Sequence, residues 1–174
     1  MRILAIHVSH IDWRATRKAK FAEEIEKKED GMDDCIVLFS CVEKMDEADP
    51  VRVADGAAHE AIRRLDMLKV KKAVVFPFAH LTSSLSRPDV ALQALQGLEK
   101  SLKAQGMEVK RAPFGWYKEY GLKSTGHPLS ELSMTICPYE GKSCDPVCPY
   151  CSHPFKVGEL SRGLPGQKIF DASS

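Results

Sequence analysis

Apolar and polar positions change period several times along this chain, and each change marks an element. Ile3, Leu4, Ile6 and Val8 make Met1 to Val8 a first strand, ending at Ser9-His10. Phe21 to Asp30 is charge-rich and reads as a weakly helical surface excursion closed by Asp30-Gly31. Cys35-Ile-Val-Leu-Phe-Ser-Cys-Val42 is β-favouring throughout, with Cys35 and Cys41 as small core residues. Asp49-Pro50 then offers a helix N-cap followed by proline at the first helical position. Behind it Ala54, Ala57, Ala58, Ala61, Ile62, Leu65 and Leu68 recur at helical spacing, with Glu60, Arg63, Arg64 and Asp66 on the other side.

Lys72 to Phe76 is short, apolar and β-branched, which reads as a buried strand. It delivers the loop Phe76-Pro-Phe-Ala-His-Leu-Thr-Ser-Ser84 at its C-terminal end, where open α/β sheets bind ligands. Pro88 opens a second helix with Ala91, Ala94, Leu95, Leu98 and Leu102 on one face, and Gln105-Gly106 closes it. Met107 to Ala112 is a further strand. Strand, helix, strand, helix, strand from Cys35 to Ala112 predicts an α/β layered fold with at least part of the sheet parallel. Pro113 to Tyr120 and His127 to Ile136 read as an antiparallel pair, with Glu131, Ser133 and Thr135 on the polar face of the second.

At 174 residues the chain holds one domain of ordinary size with an appendage. A formal charge of +1 excludes a surface coated in basic charge, so any nucleic-acid contact must come from local patches. Arg14 to Lys20 and Lys69 to Lys72 are the candidates, each of which is otherwise a solvated face. No apolar stretch approaches the roughly 20 residues of a membrane span, and Met1 to His7 lacks a signal peptide's apolar core, so a cytoplasmic protein is expected.

From Pro138 the composition shifts to Cys, Pro, Gly and Ser, which divides the chain into 1–136 and a cysteine-rich 137–174 with a flexible end. Cys137, Cys144, Cys148, Cys151 and His153 offer five soft ligands, of which four would complete a structural zinc site. Cys148-Pro-Tyr-Cys151 also matches a redox pair, and unligated thiols are the third reading.

His80, Tyr117, Lys118 and Glu131 come from three segments and imply a small polar pocket, though not a reaction. Phosphate loops of the nucleotide enzymes, the nucleophile elbow and the zinc-protease motif are all missing from the sequence.

The sequence resembles the amino-terminal editing domain of archaeal threonyl-tRNA synthetases, which is related in fold to D-aminoacyl-tRNA deacylases. Val42-Glu-Lys44, Phe76 to Ser84, Ala112-Pro-Phe-Gly-Trp-Tyr-Lys118 and Gly126-His-Pro-Leu-Ser-Glu-Leu-Ser133 carry the resemblance, which covers Met1 to Ile136. It implies hydrolysis of serine from mischarged threonine tRNA, with water activated by the 2′-hydroxyl of the RNA's terminal adenosine. It implies a pocket of His80, Tyr117, Lys118 and Glu131, walls including Ala79, Phe114 and Val42, no catalytic cofactor, and a homodimer. Lys118 would monitor the aminoacyl group while His80 and Glu131 order water and ribose. A synthetase catalytic domain does not follow Ile136, so a complete chain would edit in trans and a fragment in cis, with a synthetase catalytic subunit as partner. A non-catalytic module that recruits tRNA or a synthetase through a zinc-stabilised tail is the alternative. Strand alternation adds a conflict: neighbours Tyr117 and Lys118 should face opposite ways.

Overall fold

The computed structural model describes residues 1–138. Six strands form one sheet: β1 (Arg2–Lys18), β2 (Glu29–Cys41), β3 (Lys72–Pro77), β4 (Glu108–Arg111), β5 (Trp116–Ser124) and β6 (Glu131–Thr135). Two helices, α1 (Pro50–Leu68) and α2 (Pro88–Ala104), connect β2 to β3 and β3 to β4. The sheet order is β4-β3-β2-β1-β5, with β6 also bonded to β1. β2, β3 and β4 run parallel and every pairing of β1 is antiparallel, so the expected α/β layering is present in mixed form.

Both helices start as the sequence indicates. Asp49 Oδ1 accepts from the Arg52 N–H at 2.9 Å and Pro50 occupies the first turn. Each helix lays its apolar stripe on one face of the sheet, where Ile3, Ala5, Ile36, Leu38, Ala73 and Val75 meet Ala57, Ala61, Leu65, Leu95, Leu98 and Leu102. The helices also meet each other closely, since a Cβ built on Gly97 would stand 2.9 Å from the Ala54 methyl.

The opposite face has a core of its own, built from Val8, Ile11, Trp13, Met32, Cys35, Val37, Phe39, Val74 and Phe76. No helix residue belongs to it. Trp13 and Phe76 rings lie 6.2 Å apart although their strands are separated by β2, so the long β1–β2 ribbon must curl back over the sheet. The curl coincides with a change of parity. Leu4, Ile6 and Val8 face this core in even positions, Ile11, Trp13 and Ala15 are buried in odd ones, and β2 switches alongside, from Cys35 to Met32. Between the two halves Asp34 adopts φ 48°, and the β1–β5 register shifts between Val8 and His10. A bulge bends and twists a strand in this way.

Three expectations change. The first strand does not end at Ser9-His10 but runs to Lys18, because the parity switch interrupts its alternation without ending it. Residues 21–28 form no helix, and Asp30-Gly31 lies inside β2. β5 and β6 do not pair with each other. Seventeen residues of β1 accommodate both end to end, β6 against Arg2 to Ile6 and β5 against Val8 to Lys18.

Candidate functional site

β3 ends at Pro77, which lacks the N–H needed to extend a ladder, and the chain turns through a short 3-10 segment at Ala79–Leu81. Backbone bonds pin this loop to the end of β2: Phe78 N–H to Ser40 O at 2.9 Å, Ser86 N–H to Val42 O at 3.2 Å, and Lys44 N–H to Ser84 O at 2.9 Å. Facing it is the Pro113–Tyr120 segment leading into β5. Between them lies a cavity of about 380 Å³.

Its floor is aromatic. Phe76 packs 5.0 Å from Phe39 and 5.1 Å from Tyr120, with ring planes tilted or edge-on. Val42, Ala79, His80, Phe114, Tyr117 and Lys118 all line the cavity. His80 is exposed at the mouth, its ring edge-on to Phe78 at 5.3 Å. Tyr117 is 56% exposed, and its ring lies 4.5 Å from the Arg17 guanidinium on the outer face of β5. Strand alternation therefore turns Lys118 and Tyr120 inward and the Tyr117 ring outward. Glu131 is not among the lining residues. It sits opposite Ile6 on β1, whereas Lys118 sits opposite Ala15, and its carboxylate accepts from Ser124 Oγ at 3.1 Å.

Lys118 is the chemically distinctive group. Its ammonium donates to Pro113 O and Trp116 O, both at 2.9 Å, and stands 5.3 Å from the centre of the Phe76 ring. Burial lowers its pKa from 10.5 to about 8, against an opposing pull from Glu23. At neutral pH it remains about nine-tenths protonated. An ammonium carries three N–H donors, so two bonds to carbonyls leave one for a ligand. That is the chemistry of a selective donor in an apolar chamber, not of a ready base.

Glu23, hidden in a run of charges, has a structural role that sequence pattern gave no hint of. Arg111 pairs bidentately with its carboxylate, the Phe114 N–H donates to Oε1 at 2.6 Å, and Trp116 Nε1 donates to its backbone carbonyl at 2.9 Å. Burial raises the Glu23 carboxyl's pKa, but these bonds and the charges of Arg111 and Lys118 outweigh it, so the net shift is downward. Gly115 makes the close approach feasible: it has φ +72°, and a Cβ there would lie 2.6 Å from the Ala22 Cα and the Phe21 carbonyl. Glu23 thus braces the two carbonyls that hold Lys118. Tyr120 was also missed; its position two residues beyond Lys118 on the same strand face was the available signal.

Among the described residues no group of three or more His, Cys, Asp or Glu side chains could hold a metal. Cys137 is buried there, while Cys144, Cys148, Cys151 and His153, on which the zinc and redox readings depend, lie outside the described residues. No described helix is long and apolar enough to cross a membrane.

The family described as the archaea-specific editing domain of threonyl-tRNA synthetase matches residues 1–136. The threonine–tRNA ligase of Methanobrevibacter smithii is 46% identical over 138 residues, covering 78% of this chain and 23% of that protein. That of Methanocaldococcus jannaschii is 44% identical over 142 residues, covering 82% and 23%. That of Thermococcus gammatolerans is 45% identical over 146 residues, with 82% and 23% covered. The chain thus spans less than a quarter of the length of these relatives.

Proposed function

We propose, on the premise that this chain belongs to the archaea-specific threonyl-tRNA synthetase editing domain family, that it hydrolyses mischarged aminoacyl-tRNA, Ser-tRNA(Thr) in particular. The observation that carries this reading is the half-buried Lys118 ammonium, held by two carbonyls with one donor left, in a cavity closed by an aromatic floor and opened beside His80. The fold would be that of the D-aminoacyl-tRNA deacylases, and the working form a homodimer in the cytoplasm.

Threonine differs from serine by one methyl, and such a difference supports only about 1–3 kcal/mol of discrimination at a synthetic site. A second, hydrolytic chamber adds to fidelity. An aminoacyl ester is already labile, so positioning the ester, a water and the neighbouring 2′-hydroxyl supplies most of the catalysis. The remaining Lys118 N–H donates to the aminoacyl group, His80 orders water at the mouth, and the RNA's own 2′-hydroxyl helps activate that water. Neither a nucleophile–base pair nor a metal enters these steps. In this reading Tyr117, whose ring turns outward, and Glu131, which lies outside the cavity lining, act on the RNA or at a second subunit. A structural zinc held by four of Cys137, Cys144, Cys148, Cys151 and His153 belongs to the same proposal, and elemental analysis of protein purified without added metal tests it.

Purified protein should release serine from seryl-threonine tRNA, and nearly none when the RNA ends in 2′-deoxyadenosine with serine on the 3′ position. Efficient turnover of the deoxy substrate would remove the RNA-assisted mechanism. Binding of the charged tRNA without release would instead favour the rival reading, a recruitment module for tRNA or for a synthetase catalytic subunit.

A further inference from the structure

We propose that the strip formed by Arg17 and Lys20 with the exposed rings of Tyr117 and Phe21 is the docking surface for the single-stranded 3′ end of an RNA. The inference rests on the hydrolytic reading for what enters the cavity, but the surface itself is argued from its own geometry. Each of the two cations sits on a ring. The Arg17 guanidinium lies 4.5 Å from the Tyr117 ring centre and Lys20 Nζ 5.4 Å from that of Phe21, whereas Lys18, over Trp116, belongs to the opposite face of the strand pair. Tyr117 and Phe21 are each 56% exposed, an unusual amount of aromatic surface to leave in water.

The strip is continuous with the candidate site, because Ala19 and Tyr117 also line the cavity. Its own charge is not neutralised. Nearby Lys18 pairs with Glu24 at 2.7 Å, and Arg14 pairs with Glu119, but Arg17 and Lys20 form no ion pair among the described residues. Cations beside flat aromatic faces match a strand whose phosphates and unstacked bases are both accessible. A duplex hides its base faces and would use only the charge. The carrier of a terminal ester must lead its last nucleotides past this rim, and the strip places two free cations and two exposed rings there.

The test uses the full 174-residue chain, the double variant Arg17→Gln/Lys20→Gln, and a short fluorescein-labelled RNA ending in CCA, read by anisotropy across a salt series. Two lost phosphate contacts should flatten the slope of log affinity against log salt by about 1.4, at roughly 0.7 per contact for single strands. On charged tRNA the variant's KM should rise, by a factor exceeding any change on seryl-adenosine, which is too short to reach the strip. Unchanged RNA affinity and salt slope in a folded variant would overturn the proposal. So would equal binding of a blunt RNA duplex, or a polyglutamate peptide that binds as tightly and is lost in the same variant, which would assign the strip to an acidic protein. Failure of both substrates to hydrolyse would sink the hydrolytic reading alone, since the binding series decides the surface without it.

Discussion

Replacing Lys118 with methionine should change how stability depends on pH, in a direction fixed by the sign of its pKa shift. The folded value is about 8 and the ordinary one 10.5, because burial disfavours the ammonium. Below pH 8 the lysine is protonated in both folded and unfolded chains, so the cost of burying the charge is fully present. Between pH 8 and 10.5 the unfolded chain holds more protons, and stability rises with pH at up to about 1.4 kcal/mol per pH decade. The whole interval amounts to roughly 3 kcal/mol as a ceiling. Lys118→Met removes this slope. At neutral pH it also removes the bonds to Pro113 O and Trp116 O, each worth about 1.5–3 kcal/mol when the donor is charged, so its net stability there should stay near that of the parent. Urea unfolding of parent and variant at several pH values from 7 to 10.5 reads the difference directly, and titrations common to both cancel. Parallel stability curves would show that the ammonium is not held in the apolar chamber. On substrate, the folded variant should lose most of its preference for serine over threonine; equal rates for both proteins on both esters would detach Lys118 from selection.

Glu23→Gln should cost about 2–3 kcal/mol, since it leaves a largely buried Arg111 with Glu99 as its remaining carboxylate, and should move the onset of the Lys118 slope to lower pH by removing an opposite charge. An unmoved onset in calorimetry across pH would refute the bracing role. His127 Nδ1 accepts from the Leu129 N–H at 3.1 Å and its Nε2 lies 2.8 Å from His7 Nδ1, so the proton between the rings belongs to His127. Burial, then the neighbouring His127, holds the His7 pKa below 6.5 despite Asp34. Stability should therefore fall as pH drops below about 6.5, with faster hydrogen exchange at Leu129, and His7→Gln should remove that part of the acid sensitivity. Gly97→Ala should destabilise by about 1–3 kcal/mol through overpacking against Ala54, measured by thermal melting; no loss would mean the helices separate freely.

The elements that the sequence made legible are those whose local signal and burial agree. Asp49-Pro50 starts α1, and the apolar run at Lys72 becomes β3 because it is covered on both faces. β1 was cut short because the buried parity switches near Ser9, a signal that resembles an ending unless the partner strand's matching switch is known. The six-residue connection between β5 and β6 reads as a hairpin in sequence, whereas here Thr125 N–H donates to His7 O and the His7 N–H donates to Ser130 O, so the connection bonds to β1 instead. That Lys118 and His80 meet at one cavity could be read from the chain. Glu23 could not, because a carboxylate among eight charged neighbours has no periodic mark, and its partners lie about ninety positions away in sequence.

The shared strand β1 has a temporal consequence. Arg2 pairs with Thr135 and Lys18 with Trp116, so β1 is tied to strands about a hundred positions or more away in sequence. Contacts so distant in sequence raise the entropic barrier to folding, and during synthesis those of β6 cannot form until β6 itself has left the ribosome. The β2–α1–β3–α2–β4 unit closes its contacts over shorter distances and is expected to serve as the nucleus. Substitutions at Leu65 or Val75 should then slow refolding in stopped-flow experiments, while those at Met134 chiefly accelerate unfolding. The reverse pattern would place β6 in the nucleus. A chain halted before Glu131 would carry His80 and Lys118 in sequence, yet lack the strand that seals one end of β1 and holds the sheet on which they converge.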